Sequence, residues 1–533
     1  MPNILFIMTD DHAANALSCY GSVLNKTPNM DKIANAGIKF TNCFVANALC
    51  SPSRATLLTG KYSHLNGITG NKIPFDEKNT VQTFPKMLQS EGYQTALVGK
   101  WHLHADPNGF DYWFKLTGRN EQGWYKNPKF NDNGTEKTVN GYVTDIITDK
   151  TLEFLENRDP AKPFCILCNH KAPHRQWEPD DAHKHMYDNT VFPEPPNFWD
   201  EYANRASAAE KANMRVADLG DGTVGNPPAS LQTQEERTAW KFQSYMRRYL
   251  ACVASVDDNI GRLLDYLETE GLKNNTLVVY TSDNGFFLGE HGWYDKRFMY
   301  EESIRIPCLA MMPGTIPAGI TNDNFIGNID YASTFLDLAG IRIPSDFQGN
   351  SLLPLMKGQP VPGWRTSFYY HYHEFPNGHN AYENYGVRSG RYKLIYYPLL
   401  KEWEFFNLQS DPNEMTSLYD DPGSQAKISE LKSELDRLRV FYGEVPATAI
   451  YAQSGHAQRW KMELARKSLV KIDGEHRSII LPAKAQGIDM FDLHGRIRGR
   501  FVRRAAEGGD MRIKLPKHLR SQFISVRYFK IDD

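Results

Sequence analysis

What the chain lacks narrows it first. Its strongly apolar stretches, such as residues 4–8, fall far short of the ~18 consecutive residues that a membrane span needs. Neither sign of charge dominates: 61 Lys and Arg face 63 Asp and Glu, a net charge of −2. That balance argues against a dedicated nucleic-acid binder, though not against a local basic groove. Neither membrane nor nucleic acid is therefore expected as a partner. Seven cysteines (Cys19, Cys43, Cys50, Cys165, Cys168, Cys252 and Cys308) are too sparse and too odd a set for a disulfide framework. Cys165 and Cys168 form a C-x-x-C, but inside an apolar run that reads as a buried strand, with the two thiols on opposite sides. No internal repeat is visible, and 41% apolar with 23% charged residues excludes disorder for the bulk of the chain. No secretory signal is visible either, because the first apolar run is short, lacks a basic leader and has no small-residue cleavage site. The chain as written is expected to be cytoplasmic, or periplasmic or secreted if an export signal was trimmed.

What is present alternates short apolar runs with helical patterns over the first 360 residues. That alternation predicts an α/β fold with a largely parallel sheet. Four runs read as buried strands: 4–8, 95–98, 164–168 and 277–281. An apolar face made by Leu250, Val253, Val256, Ile260, Leu263, Leu264 and Leu267 predicts a helix over 248–270, stopped by Gly271. Residues 204–240, polar and rich in Gly and Pro, read as an excursion with a little helix rather than a domain. Beyond Pro362, paired strand-like runs at 392–397 and 404–408 precede an amphipathic helix at 428–441. The expected organisation is a catalytic domain 1–362, a C-terminal α+β subdomain 363–450 and a basic, β-rich extension 451–533. Residues 451–533 hold 18 Lys/Arg against nine Asp/Glu, a net +9, which leaves −11 on the remainder.

The chemistry gathers where the strands end. Asp10-Asp11 follows the first run, Gly99-Lys100-Trp101-His102 the second, Asn169-His170-Lys171-Ala172-Pro173-His174 the third and Asp283-Asn284-Gly285 the fourth. Ligands of open α/β sheets bind outside the carboxyl ends of the strands. Three carboxylates and an amide brought to one edge suit Ca²⁺ or Mg²⁺ rather than zinc or copper. Each segment alone also fits a turn or a helix cap.

A fifth segment adds specificity. Cys50-Ser51-Pro52-Ser53-Arg54-Ala55-Thr56-Leu57-Leu58-Thr59-Gly60 resembles the signature of the type I, formylglycine-dependent sulfatases of the alkaline phosphatase superfamily. The resemblance runs from Asn3 to about Gly443. It takes in Thr27-Pro28-Asn29-Met30-Asp31, Ala172-Pro173-His174 and Gly289-Glu290-His291-Gly292 through Lys296. It implies a large central mixed, mostly parallel sheet sandwiched by helices, with a smaller C-terminal sheet and helix. It also implies that Cys50 is oxidised to formylglycine (3-oxoalanine) by a formylglycine-generating or anaerobic sulfatase-maturating enzyme. Asp10, Asp11, Asp283 and Asn284, completed by the modified Cys50, would hold Ca²⁺, with Mg²⁺ as the alternative. By the same resemblance Arg54 and His102 hold the hydrated aldehyde, Lys100 and Lys296 clamp sulfate oxygens, and His174 protonates the leaving oxygen. His170, Arg175, Trp177, His291 and Arg297 flank these motifs and are expected to meet the substrate. Arg suits acidic groups and Trp a sugar face. The flanking sequences look like those of N-acetylglucosamine-6-sulfatase and iduronate-sulfatase-like glycan sulfatases.

The expected function is therefore hydrolysis of a sulfate ester on a carbohydrate, such as a glycosaminoglycan or other sulfated polysaccharide fragment. A phosphoester or phosphonate hydrolase on the same scaffold, and a dead sulfoglycan-binding protein, are the alternatives. A homo-oligomer is left open. The basic extension reads either as a folded appendage or as an anion track built from Arg496, Arg498, Arg500, Arg503 and Arg504.

Overall fold

The computed structural model describes residues 1–75 and 82–445 in full, and the backbone of six strands between 471 and 529. Packing divides the chain into a unit Met1–Leu435 and a unit Asp436–Asp533.

The first unit is built on a ten-stranded sheet. Its centre is four neighbouring parallel strands, in the spatial order Thr276–Ser282, Asn3–Thr9, Phe164–Asn169 and Gln94–Gly99. These coincide with the four expected runs. They read as unbroken apolar sequence because both faces are covered. Phe6, Leu97, Cys165, Leu167 and Val279 enter one core layer, and Leu5, Ile7, Val98, Cys168 and Tyr280 the other. Cys165 and Cys168 thus lie on opposite sides of the sheet, both fully buried. Each large apolar side chain removed from water in this way contributes about 1.5–3 kcal/mol. The flanks make the sheet mixed: Cys308–Met311 runs antiparallel to both its neighbours, and Lys129–Asp132 is antiparallel to Tyr112–Thr117.

The principal helix, Gln234–Thr269, is longer than the sequence pattern predicted. It begins inside the polar segment 204–240, which also carries the short helices Ser207–Lys211 and Asp221–Val224, the little helix expected there. Thr233 accepts a hydrogen bond from the Glu236 backbone N–H at 3.1 Å while the Glu236 carboxylate accepts from Thr233 N–H at 2.9 Å. This capping box starts the helix well before its apolar face is needed. Further along, Asp257 accepts from the backbone N–H groups of Asn29 and Met30 at the start of the helix Pro28–Ala36. The Thr27-to-Asp31 motif is thereby locked onto the long helix.

A four-stranded antiparallel sheet follows, Ser367–Tyr372, Asn384–Ser389, Tyr392–Tyr397 and Glu402–Asn407 in that order, and then the helix Gln425–Phe441.

In the second unit two three-stranded antiparallel sheets are described. Arg496, Arg503 and Arg504 lie outside the described residues. Arg498 and Arg500 fall on the strand Ile497–Val502. Met490 faces Gly499 there and Phe491 faces Ile497, so Arg498 has no residue opposite it.

Candidate active site

The backbone ladder of the central strands continues past their carboxyl ends. Lys100 N–H donates to Asn169 O at 2.8 Å, His170 N–H to Met8 O at 2.8 Å, and Asp283 N–H to Thr9 O at 3.0 Å. Loops that carry the functional side chains are thus fixed to one another. Gly99 has a φ of 107°, and a Cβ there would lie 2.0 Å from Asn169 O. Only glycine lets the chain turn Lys100 inward at that point.

The helix Cys50–Thr59 aims its first residue at these loops. Gly60, at φ 61°, ends it by donating to Thr56 O at 2.9 Å. Cys50 is buried, with its Sγ 3.6 Å from Asp10 Oδ1, 3.5 Å from Lys296 Nζ and 3.8 Å from Asn284 Nδ2. Arg54, one turn along, donates from Nε to Asp283 Oδ2 at 2.9 Å and from a terminal nitrogen to Lys100 O at 2.6 Å. Lys100 Nζ pairs with Asp10 Oδ2, and Lys296 Nζ with Asp11 at 2.5 and 2.6 Å. Three cations therefore face three carboxylates, all buried.

Burial alone would raise the Asp10 carboxyl, but Lys100, His174, Arg54 and Lys296 hold it well below the usual range. Asp11 moves the other way, to about 7, because burial and the charges of Asp10 and Asp283 outweigh Lys296. Burial pushes the Cys50 thiol up to about 12 against the pull of Lys100 and Lys296. The unmodified side chain is thus a thiol at neutral pH and a poor nucleophile.

The donor set fits a hard divalent cation. Asp10, Asp11 and Asp283 each offer an oxygen within 4.8 Å of the others. Asn284 donates from Nδ2 to Asp11 at 3.2 Å and Asp283 at 2.9 Å, while its buried Oδ1 has no protein partner. An amide oxygen left over beside three carboxylates matches oxygen-rich coordination.

His174 sits at the edge of this cluster, its Nε2 3.8 Å from Asp11 Oδ2 and its Nδ1 bonded to Arg175 O. The carbonyl holds Nδ1 and leaves Nε2 facing the site. Burial, with Lys100 close by, holds His102 well below the ordinary imidazole range. Its Nε2 is 3.0 Å from Gln122 Nε2, and Gln122 Oε1 accepts from Lys100 Nζ at 2.6 Å. Gln122, which sequence reasoning missed, thus ties two of the expected site residues together. Lys171 is also buried, 5.0 Å from the Tyr125 ring, and burial beside Lys100 lowers its amine to about 7.

Two of the five flanking residues are tied to Tyr294 and Asp295, which precede Lys296 in the chain. Arg297 bonds Asp295 at 3.0 Å, the Tyr372 hydroxyl at 2.8 Å and Glu374 at 3.2 Å. Arg175, half-buried, donates to the Tyr294 hydroxyl at 3.2 Å. The other three are buried. Trp177 is fully buried, its ring 4.3 Å from Tyr245 and within 6.4 Å of Tyr249, so its faces belong to the core. His170 is fully buried beside Cys168 Sγ at 3.6 Å. His291 is fully buried as well, with Nδ1 2.8 Å from Asp200 and 2.9 Å from Arg205.

Comparison with known proteins identifies the family. A family model described as "Sulfatase" matches residues 2–341, and one described as "N-sulphoglucosamine sulphohydrolase, C-terminal" matches residues 289–440. The chain is 46% identical over 485 residues to an N-acetylglucosamine-6-O-sulfatase of Bacteroides thetaiotaomicron, covering 83% of this chain and 87% of that protein. A solved structure described as a complex with its substrate D-glucosamine-2-N,6-O-disulfate superimposes with a TM-score of 0.81 at 44% identity, covering 84% of this chain and 99% of the other. A phosphonate monoester hydrolase of Agrobacterium radiobacter shares the fold, with a TM-score of 0.68 at 22% identity over 83% of this chain and 96% of that one.

Proposed function

This chain belongs to the sulfatase family, and from that premise we propose that it removes the 6-O-sulfate from glucosamine-type residues of sulfated glycan fragments. Hydrolysis of a sulfate ester on a carbohydrate is its reaction. The sulfate position rests on one observation, the 44–46% identity to a 6-O-sulfatase and to a structure holding a 6-O-sulfated glucosamine.

The reading includes a formylglycine derived from Cys50 and a divalent cation, Ca²⁺ or Mg²⁺, held by Asp10, Asp11, Asp283 and Asn284. The hydrated aldehyde would supply a nucleophilic hydroxyl and a second one for later release of sulfate, and the cation would neutralise sulfate oxygens. The chain's own groups do the rest. Lys100 and Lys296, already inside the site, offer ammonium donors to the remaining sulfate oxygens. Arg54 fixes Asp283 from one side, which positions that carboxylate to take a proton from the attacking hydroxyl. His174 Nδ1–H donates to the Arg175 carbonyl, so Nε2 would deliver a proton to the leaving sugar oxygen only after taking a second proton, which burial disfavours; Lys296, whose amine the neighbouring acids raise against burial, keeps its proton and is the alternative donor. Arg175 and Arg297 contribute the rim where the sugar enters.

The test is sulfate release by the matured enzyme from glucosamine-6-sulfate and N-acetylglucosamine-6-sulfate, beside the galacto epimers and matched aryl sulfate and phosphate esters. A preference for the gluco 6-sulfates supports the reading. Equal rates on both epimers refute the sugar assignment, and a higher rate on the aryl phosphate refutes the choice of sulfate over phosphate.

A further inference from the structure

A second cluster of metal-type ligands lies outside that site. His371 and Tyr372 close the strand Ser367–Tyr372, and His373 follows it directly. Side chains two residues apart on an extended chain share a face. The two imidazoles stack, with ring centroids 3.5 Å apart. Glu383, just before the next strand, brings Oε1 to 3.1 Å from His371 Nε2. One ligand atom from each of the three lies within 4.8 Å of the other two. On the far side of the buried His371 ring, the Tyr369 hydroxyl is 3.1 Å from Nδ1. Such an outer contact fixes which nitrogen faces a ligand, as at metal-bound histidines generally. The His371 backbone N–H is tied to Ala46 O at 3.0 Å, so the ring is held at both ends.

We propose that His371, His373 and Glu383 form a second metal site, for a borderline transition cation of the zinc class. Two imidazole nitrogens and one carboxylate oxygen are a donor set for such ions, with room for water in the remaining positions. A hard cation does not select imidazole. Ligands on a tetrahedral zinc lie roughly 3.3 Å apart, so closure requires the half-buried His373 to swing out of its stack on His371 and Glu383 to follow. The site also has a location that gives it work. His373 and Glu383 are the two ends of the segment 373–383. Inside that segment, Glu374 accepts from Arg297 at 3.2 Å and His379 pairs with Asp295 at 3.3 Å, next to Lys296 in the chain. An ion gripping both ends staples the loop that braces the rim of the active site. This inference does not depend on which sulfate the enzyme removes.

The full-length matured protein, saturated with Ca²⁺ and freed of transition metals with 1,10-phenanthroline, is titrated with Zn²⁺ by calorimetry beside His373→Ala and Glu383→Gln. The native protein is expected to bind one equivalent more than His373→Ala, and Glu383→Gln to bind that equivalent at least 10-fold more weakly. Because a variant can fail to fold, a second measurement uses the native protein alone. Zn²⁺ is expected to protect His371 and His373 from diethyl pyrocarbonate, read by peptide mass spectrometry. Equal stoichiometry in native protein and His373→Ala, or unprotected histidines in the presence of Zn²⁺, overturns the proposal.

Discussion

Replacing Trp177 by alanine separates a core residue from a substrate contact. The indole is fully buried and meets Tyr245 at 4.3 Å, Phe286 at 6.3 Å and Tyr249 at 6.4 Å between centroids. Removing a buried ring of this size costs about 3–5 kcal/mol, the lost transfer energy plus the cavity left behind. The damage also has a route to the site. The Tyr249 hydroxyl accepts from Ala13 N–H at 2.9 Å and donates to Asp11 O at 2.8 Å. Loosening Tyr249 therefore loosens the backbone of a carboxylate that the site depends on, and a misplacement of ~1 Å there costs up to about 100-fold in kcat. Trp177→Phe should be milder, about 1–2 kcal/mol, because the indole N–H it removes has no hydrogen-bond partner in the protein. Urea unfolding followed by far-UV circular dichroism measures the stability, and steady-state sulfate release measures KM and kcat. Loss of stability with a fall in kcat is the expected pattern. An unchanged unfolding midpoint with a tenfold higher KM would show that the ring faces the sugar, and the core argument would fail.

Cys50→Ala is expected to abolish turnover and leave the circular dichroism spectrum unchanged; an active preparation whose Cys50 peptide carries only the unmodified thiol would refute the formylglycine reading. Chelation with EDTA should lower the melting temperature, and free Ca²⁺ at 100 times its Kd should restore about 2.7 kcal/mol; no change in either direction removes the cation assignment. Gln122→Ala strands the buried Lys100 ammonium without one partner, so kcat/KM should fall by about 1.5–3 kcal/mol, or roughly 10- to 150-fold, with the loss divided between kcat and KM; unaltered kinetics would assign Gln122 no role. Burial lowers the Lys171 amine to about 7 in the folded chain. The unfolded chain then binds the extra proton between about pH 7 and the ordinary lysine value, so stability should rise with pH across that window. Lys171→Met should lose that slope, which unfolding midpoints at pH 7 and pH 9 measure; parallel slopes in the two proteins would refute it.

The central strands were legible because burial on both faces leaves no charged residue in the run, and because each run is followed closely by residues with chemistry. The strand-end rule then brings Asp10, Lys100, His174 and Asp283 to one edge without knowledge of the sheet order. The start of the long helix was less visible, since its first turns are polar and solvated; the Thr233-x-x-Glu236 box was the available signal. Trp177 is a different case. Three residues from His174 in sequence, it is packed into the core with Tyr245 and Tyr249, and sequence distance says nothing about which way a loop residue turns. Gln122 left no signal at all. It reaches Lys100 and His102 from a loop in which Arg119, Asn120 and Glu121 all have positive φ, between 44° and 65°. Such a path is decided by tertiary contacts, not by local preference.

The position of the N-terminal strand sets a clock. Asn3–Thr9 is made well before Thr276–Ser282, one of its two neighbours in the sheet. Until that later strand leaves the ribosome, Asp283 and Asn284 do not exist and the pocket around Cys50 has no far wall. From Cys50 to Ser282 are 232 residues, which at about 5–20 residues per second leaves roughly 12–46 s of synthesis. During that interval the thiol can be reached; in the folded chain it is 1% exposed. Any enzyme that modifies Cys50 therefore works against the arrival of one β-strand. Slowing translation between residues 50 and 282 should raise the modified fraction, whereas adding the same enzyme to folded protein should not.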